Sequence, residues 1–182
     1  MQLKNSKSKK ALLLVLFGGV ALLWLTFDIV TKQHFDANYV PGNVIAEPIV
    51  GLFRFRLVHN TGAAWGIFSD ATNILGFTSI FVCIGIIVFF LYALKHVSLG
   101  EAFGLALVLA GGIGNAIDRF TLGYVVDFID FSFISFPVFN IADIGVTCGF
   151  VIAFISILIR WHKENKHEKS EENVSDNSIE KA

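Results

Sequence analysis

The chain has 182 residues, of which 54% are hydrophobic and only 16% are charged. A soluble domain of this size cannot bury so much apolar surface, so the composition excludes an ordinary soluble protein and predicts an integral membrane protein. The formal net charge of -1 has little meaning as a sum, because the charges are confined to the two termini and a few connections between apolar segments.

The first two apolar segments are each long enough to cross a bilayer as a helix. Residues 11–27 follow a lysine-rich start and look like a signal peptide, but no A-x-A cleavage site follows, so we predict a retained helix. Residues 74–94 carry no charge. As a helix they would span about 30 Å, which is the thickness of the hydrocarbon layer.

Two further segments complete the predicted bundle. Residues 102–117 are rich in small residues, with Ala106, Ala110 and Gly114 at four-residue spacing. Such a stripe lets helix backbones approach closely in lipid. Residues 144–161 supply the fourth crossing.

The positions of Lys and Arg predict the orientation of the chain. The amino-terminal lysines, Lys95 and the basic residues after the fourth segment all fall on one side of a four-helix topology, which should be cytoplasmic by the positive-inside rule. Both termini would then be cytoplasmic. The two long connections, residues 33–73 and 118–143, would lie at the outer face.

The outer connections also carry a period of two. In the first connection, Phe53, Phe55 and Leu57 alternate with Arg54, Arg56 and Val58. In the second, Phe131 and Phe133 flank Ser132. Both patterns predict short strands. The predicted fold is therefore an all-α membrane protein with four transmembrane helices and a small extracytoplasmic β-cradle. It comprises a membrane domain over residues 1–162 and a polar cytoplasmic tail over residues 163–182, whose composition is typical of disorder.

A set of polar residues is not explained by this architecture. Ionisable side chains in or beside lipid are energetically costly, so each one is a candidate for function. On the predicted topology the whole set falls at the outer ends of helices or in the outer connections: Asp28, Lys32, Asn60, Asn115, Asp118, Arg119, Asp127, Asn140 and Asp143.

Spacing supports a shared location but also simpler roles. Asn115, Asp118 and Arg119 stand at i, i+3 and i+4, so they share one helix face. Asp118 with Arg119 is most simply an interfacial ion pair. Asp28 with Lys32, four residues apart, is most simply a pair that fixes geometry or contacts lipid head groups. The amides at positions 60, 115 and 140 are equally compatible with capping or inter-helix bonds and with orienting a substrate. Three other residues are expected to have ordinary roles, as an exposed loop acid at Asp130 and as buried thiols at Cys83 and Cys148.

Asp127 and Asp143 are the hardest to explain without a function, because each lies in an apolar stretch and we expect neither to be paired with a nearby base. Two carboxyl groups that cannot both ionise cheaply in a low-dielectric site share a proton. One can then act as base toward a water while the other donates to a scissile carbonyl, which is the chemistry of an aspartic protease. The residues alone also allow a proton-coupled carrier or a non-catalytic lipid-binding scaffold. A carrier usually shows internal repeats and broken helices, and this sequence shows neither.

Five sequence blocks resemble the lipoprotein signal peptidase family, the bacterial signal peptidase II, whose members are inner-membrane aspartyl proteases. In chain order the blocks are Asp28–Lys32, Asn60–Gly66, Gly111–Arg119, Val126–Phe128 and Phe139–Asp143. The chain departs from the family pattern at Trp65, where Phe is frequent, and at Ile144, where Ser or Thr is common. Neither departure removes a polar group of the set.

The resemblance implies hydrolysis of prolipoproteins just before a cysteine that carries a diacylglyceryl group, by a dyad of Asp127 and Asp143 and an activated water. It implies two further groups of residues, one that holds the substrate backbone and organises the dyad (Asn60, Asn115, Arg119, Asn140) and one that is structural (Asp28, Lys32, Asp118). It also implies a multi-pass protein of the bacterial inner membrane, an active site near the outer face, contact with membrane lipid, and inhibition by globomycin-type cyclic peptides. We expect no metal, no cofactor and no nucleic-acid partner, and nothing demands more than one copy of the chain.

Overall fold

A computed structural model describes the backbone of residues 2–62 and 72–179 and the side chains of residues 7–62 and 72–166. In chain order the elements are α1 (Gln2–Asn38), β1 (Val44–Ile49), β2 (Phe53–Asn60), α2 (Thr72–Tyr92), α3 (Leu99–Thr121), β3 (Val125–Phe131) and α4 (Ile141–Ile179). All four helices contain a span that is long and apolar enough to cross a membrane. The predicted fold class, four apolar helices with a small sheet, is confirmed.

The last helix is much longer than its apolar segment. The sequence predicted a disordered tail from residue 163, whereas α4 continues to Ile179. Lys and Glu are good helix formers, and a helix that has already begun adds each further residue at little cost. Arg160 and Glu164, one turn apart, also form an ion pair at 3.4 Å across the start of this extension.

Helix α3 forms the centre of the bundle and packs against the other three helices. Ala106 and Ala110 of the small-residue stripe are buried. The backbones of α3 and α4 meet at two glycines, since a Cβ added to Gly104 would lie 2.5 Å from the carbonyl oxygen of Gly149. The surrounding helices expose large apolar side chains, such as Leu23 and Phe81, as expected of surfaces that face lipid.

The two ends of the bundle differ in chemistry. At one end Leu13, Phe90, Val97 and Ala102 form a buried apolar cluster. At the other end the last turns of α1 and α3 meet the first turn of α4, and the sheet covers them; we call this the sheet end. An aromatic contact joins the two parts there, because Phe35 of α1 stacks on Phe128 of β3 with ring centroids 4.2 Å apart.

The sheet is antiparallel, with strand order β1-β2-β3. Strand β2 contains the alternation over residues 53–58, as predicted. The second predicted strand is displaced, because β3 ends at Phe131 and the chain then turns at Ser132, whose backbone N–H donates to the carbonyl of Leu52 at 3.0 Å. Strand β1 was not predicted, since it is largely exposed and contains a proline and so lacks a clear alternation.

Candidate active site

Asp127 lies in β3 at the sheet end, and its side chain is only 2% exposed. Antiparallel pairing brings the end of β2 beside it, so that Asn60 Nδ2 donates to Asp127 Oδ2 at 2.9 Å. The other carboxyl oxygen, Oδ1, accepts from Asn140 Nδ2 at 2.7 Å. Two amides from different parts of the chain therefore hold this carboxyl group in one orientation.

Asp143 is fixed by the start of α4. Asn140 precedes the helix, and its Oδ1 accepts from the backbone N–H of Asp143 at 3.0 Å, while the backbone N–H of Asn140 donates to Asp143 Oδ2 at 3.2 Å. This reciprocal arrangement is a capping box with Asp in the third helical position. Asn140 thus contacts both acids, so Asp127 and Asp143 lie on either side of one amide side chain.

Asn115 supplies the remaining support for Asp143. Its Oδ1 accepts from Lys32 Nζ at 2.9 Å, and because an ammonium group can only donate, the amide nitrogen must point the other way. That nitrogen donates to Asp143 Oδ1 at 2.8 Å. Lys32 therefore orients Asn115, and Asn115 orients Asp143.

Lys32 is buried among acids. Its Nζ lies 2.9 Å from Asp28 Oδ2 and 3.1 Å from Asp118 Oδ2. Asp28 Oδ1 also accepts from the backbone N–H of Ala142 at 2.8 Å, and Asp118 Oδ2 from that of Val126 at 3.1 Å. The two acids thus attach the residues next to Asp143 and Asp127 to the bundle.

The expected pair of Asp28 with Lys32 is present, but the expected pair of Asp118 with Arg119 is wrong. Adjacent residues on a helix point in different directions, so Asp118 faces Lys32 while Arg119 turns away from it. The approach of α3 to Asp28 also requires glycine, because a Cβ added to Gly114 would collide with Asp28 Oδ2.

The two candidate acids line one cavity of about 450 Å³. Arg119 also lines it, and within the described residues its Nε is buried without a hydrogen-bond partner. Asn60, Gly62 and Asn115 also line the cavity. The rest of the wall is mostly apolar and comes from β3, the chain before α4 and the first turns of that helix: Val125, Phe131, Phe136, Pro137, Val138, Phe139, Ile144, Thr147 and Cys148. The cavity thus combines a small polar group with an apolar wall.

The pKa of Asp127 is raised from 3.8 to about 8. Burial is the largest cause, because it disfavours the charged carboxylate, and the nearby negative charge of Asp143 is the second. The hydrogen bonds from Asn60 and Asn140 and the charge of Lys32 oppose the shift without cancelling it. Asp127 therefore keeps its proton at neutral pH, where it can donate a hydrogen bond.

Residues 20–159 match the family described as signal peptidase (SPase) II. The chain belongs to the signal peptidase II family. The proteins named lipoprotein signal peptidase in Microcystis aeruginosa and Lactobacillus johnsonii are 39% and 37% identical to it. These matches cover 77% and 87% of this chain, and 90% and 99% of the two relatives.

Solved structures agree with the sequence comparisons. A structure described as a bacterial membrane enzyme superposes with a TM-score of 0.72 at 34% identity, over 78% of this chain and 87% of the other. A second structure with the same description has a TM-score of 0.68 at 32% identity, over 78% and 92%. The predicted enzyme class, a peptidase of the signal peptidase II family, is confirmed, as is the assignment to a multi-pass protein of the bacterial inner membrane.

Of the other expectations for this signal peptidase II chain, one is confirmed and two are wrong. Cys83 is buried, but Cys148 is exposed and lines the cavity, because it faces outward from α4. Asp130 is not an exposed loop acid, since it lies in β3 and is 3% exposed. Of the block Asn60–Gly66, the part from residue 63 onward, including Trp65, lies outside the described residues.

Further contacts, which the sequence did not predict, support the site from a distance. His59 Nε2 lies 2.7 Å from Asp36 Oδ1, and the His59 ring stacks on Tyr124 with centroids 3.9 Å apart, which ties the residue next to Asn60 to the end of α1. Trp24 Nε1 donates to the carbonyl of Ile141 at 3.1 Å. The partners are far apart in sequence, so no spacing pattern identifies them.

Proposed function

We propose that the chain is an aspartic endopeptidase that removes signal peptides from prolipoproteins by hydrolysis just before a diacylglyceryl-modified cysteine. The observation that carries the proposal is that Asn140 contacts both Asp127 and Asp143 where they line one cavity. Membership of the signal peptidase II family, whose relatives bear the name lipoprotein signal peptidase, supports the substrate class.

In the proposed reaction Asp143 is the base and Asp127 is the acid. Asp143 takes a proton from a water molecule, whose oxygen attacks the scissile carbonyl carbon, while Asp127 donates its proton to the carbonyl oxygen. The tetrahedral intermediate then collapses as the C–N bond breaks. Asp143 passes the proton that it took from water to the leaving amine, and Asp127 takes back a proton from one gem-diol hydroxyl, which restores the starting pair. Water is the nucleophile, so no covalent acyl-enzyme forms.

The cavity wall fits the two parts of such a substrate. Among the described residues the Nε of Arg119 has no hydrogen-bond partner at the cavity, which suits a carbonyl oxygen of the substrate backbone. Asn60 and Asn115 organise the carboxyl groups. The apolar wall suits acyl chains, and the exposed position of Cys148 on α4 supports lateral entry from lipid. Binding of the lipid group would then position the scissile bond.

We further propose that both termini are cytoplasmic and that the sheet end lies at the outer face. The lysines and Arg160 near the apolar cluster of the opposite end support this orientation through the positive-inside rule. One chain supplies every residue of the proposed site, so a monomer suffices. A globomycin-type peptide would occupy the same carboxyl groups and compete with substrate. Reporter fusions at the carboxyl terminus and after residue 43 should report opposite sides of the membrane.

The direct test uses Asp127→Asn and Asp143→Asn with a diacylated prolipoprotein in detergent. Each variant should insert and fold but release no signal peptide, because each lacks one half of the acid–base pair. Glu47→Gln is the matched control, since Glu47 is an exposed acid on β1 and its variant should cleave at the normal rate. Retained turnover in either Asp variant overturns the dyad, and equal cleavage of the unlipidated precursor overturns the proposed substrate.

A further inference from the structure

A second cavity lies beside the candidate active site at the sheet end. It has a volume of about 410 Å³ and shares Phe131 and Phe136 with the first cavity. Its wall is mainly polar and otherwise consists of Arg54, Arg56, Asp130 and the turn over residues 132–135. This size is within the range of small-ligand sites, roughly 300–1,000 Å³.

The cavity carries an uncompensated positive charge. Arg54 Nε and Arg56 Nε both contact one oxygen of Asp130, Oδ2, at 2.8 and 3.0 Å, so two guanidinium groups share one carboxylate. Asp130 is nearly fully buried, but about a third of each arginine side chain is exposed. Within the described residues no hydrogen bond involves the Nη groups of either arginine, so their N–H donors remain available to a ligand.

The donors at this cavity match an oxyanion. Planar guanidinium groups bind phosphate oxygens through paired N–H donors, which is why arginine is preferred at phosphate sites. Ser132 adds a hydroxyl group that is buried and, among the residues the structure describes, has no hydrogen-bond partner. A phosphate group would use all three side chains.

Apolar side chains next to the cavity indicate where that phosphate comes from. Phe133 and Ile134 in the turn are 57% and 48% exposed, and Val50 and Leu52 in the β1–β2 turn are 82% and 45% exposed. The two turns are joined by the bond from Ser132 N–H to the Leu52 carbonyl. In a membrane protein such a rim enters the interfacial layer, and the basic groups beside it then lie at the depth of the lipid phosphates.

We propose that Arg54, Arg56 and Ser132 bind the phosphate group of an anionic phospholipid beside the active site. The apolar rim favours a lipid over free phosphate or an acidic peptide, because neither of these would use it. Binding requires no cleavage, so the proposal stands or falls separately from the proposed function.

The test measures lipid binding to delipidated protein in detergent by native mass spectrometry. Phosphatidylglycerol and phosphatidylcholine with the same acyl chains are compared. The wild type should prefer the anionic lipid. Arg54→Gln/Arg56→Gln should weaken binding of that lipid by about fivefold for each arginine removed and so abolish its preference over the zwitterionic lipid. The control Lys95→Gln/Lys163→Gln removes the same charge from exposed positions at the opposite end and should retain the preference.

A second variant guards against misfolding, because loss of both arginines leaves buried Asp130 without its partners. Ser135→Glu adds a negative charge at an exposed position of the cavity wall, keeps the Asp130 pairs and should also abolish the preference. An unchanged preference in Ser135→Glu overturns the proposal. Displacement of the lipid by inorganic phosphate or by an acidic peptide at equal concentration also overturns it, in favour of those ligands.

Discussion

Asn140 is the residue whose replacement most directly separates stability from catalysis. Its Oδ1 caps α4 by accepting from the backbone N–H of Asp143, while its Nδ2 donates to Asp127 Oδ1. Asn140→Ala removes both contacts. Asn140→Ser removes the donor to Asp127 but keeps an oxygen for the cap, because Ser and Asn are about equally good at this position.

The expected loss in the free energy of unfolding differs between the two variants. Loss of the cap costs about 1 kcal/mol. Loss of the buried donor leaves Asp127 Oδ1 without its amide and costs about 1–3 kcal/mol. Asn140→Ala should therefore lower the free energy of unfolding by about 2–4 kcal/mol, and Asn140→Ser by about 1 kcal/mol less than that.

Activity should not follow the same order. Both variants release Asp127 from its amide, and small misplacements of a reacting group cost on the order of 100-fold. The resemblance implied that Asn140 also holds the substrate, but its side chain is fully buried and does not line the cavity. We therefore expect kcat to fall by about that factor in both, with KM little changed, because Asn140 orients the acid.

The assay is the initial rate of cleavage of a diacylated prolipoprotein over a range of concentrations, with thermal unfolding of the same detergent samples. Asn38→Ala is the matched control, since the one bond of the Asn38 side chain to another described residue is an exposed bond to the carbonyl of His34. A value of kcat near wild type in Asn140→Ser would refute the positioning argument. Equal stability of the Ala and Ser variants would refute the assignment of the cap.

Three further predictions test the surroundings of the site. Gly114→Ala should destabilise the protein by about 1–3 kcal/mol in thermal unfolding, because its Cβ collides with Asp28, whereas Gly85→Ala meets nothing within 4 Å and should be neutral or stabilising. Lys32→Met leaves two buried acids without their cation and should lower stability by about 3–5 kcal/mol, against almost no change for exposed Lys95→Met. Burial and the charge of Asp143 raise the pKa of Asp127 from its usual 3.8 to about 8, so ionisation of this group opposes folding increasingly as the pH rises through that range. Stability should fall as pH rises from about 4 to 8 in the wild type, less so in Asp127→Asn, and cleavage should decline above pH 8.

The sequence predicted the bundle and the convergence of the polar set because both depend on local composition. A charge-free apolar run specifies a membrane helix by itself, and polar residues at the ends of successive antiparallel helices must meet at one layer. Contacts across the sheet could not be predicted in this way, because they join residues far apart in sequence. Asp130 was expected to be exposed because its partner Arg54 is 76 residues away, and alternation shows that a strand exists without showing which strand pairs with it.

Lys32 affects the geometry of the candidate active site although it contacts neither candidate acid. Its ammonium group fixes which end of the Asn115 amide faces Asp143, and an amide turned around would present an oxygen to that carboxylate instead of a donor. The charge of Lys32 is in turn held by Asp28 and Asp118, each of which also binds a backbone N–H next to one of the acids. The residues to which the resemblance assigned a structural role therefore set the geometry of the proposed dyad through backbone and amide contacts. Their replacement should lower kcat even where the fold survives.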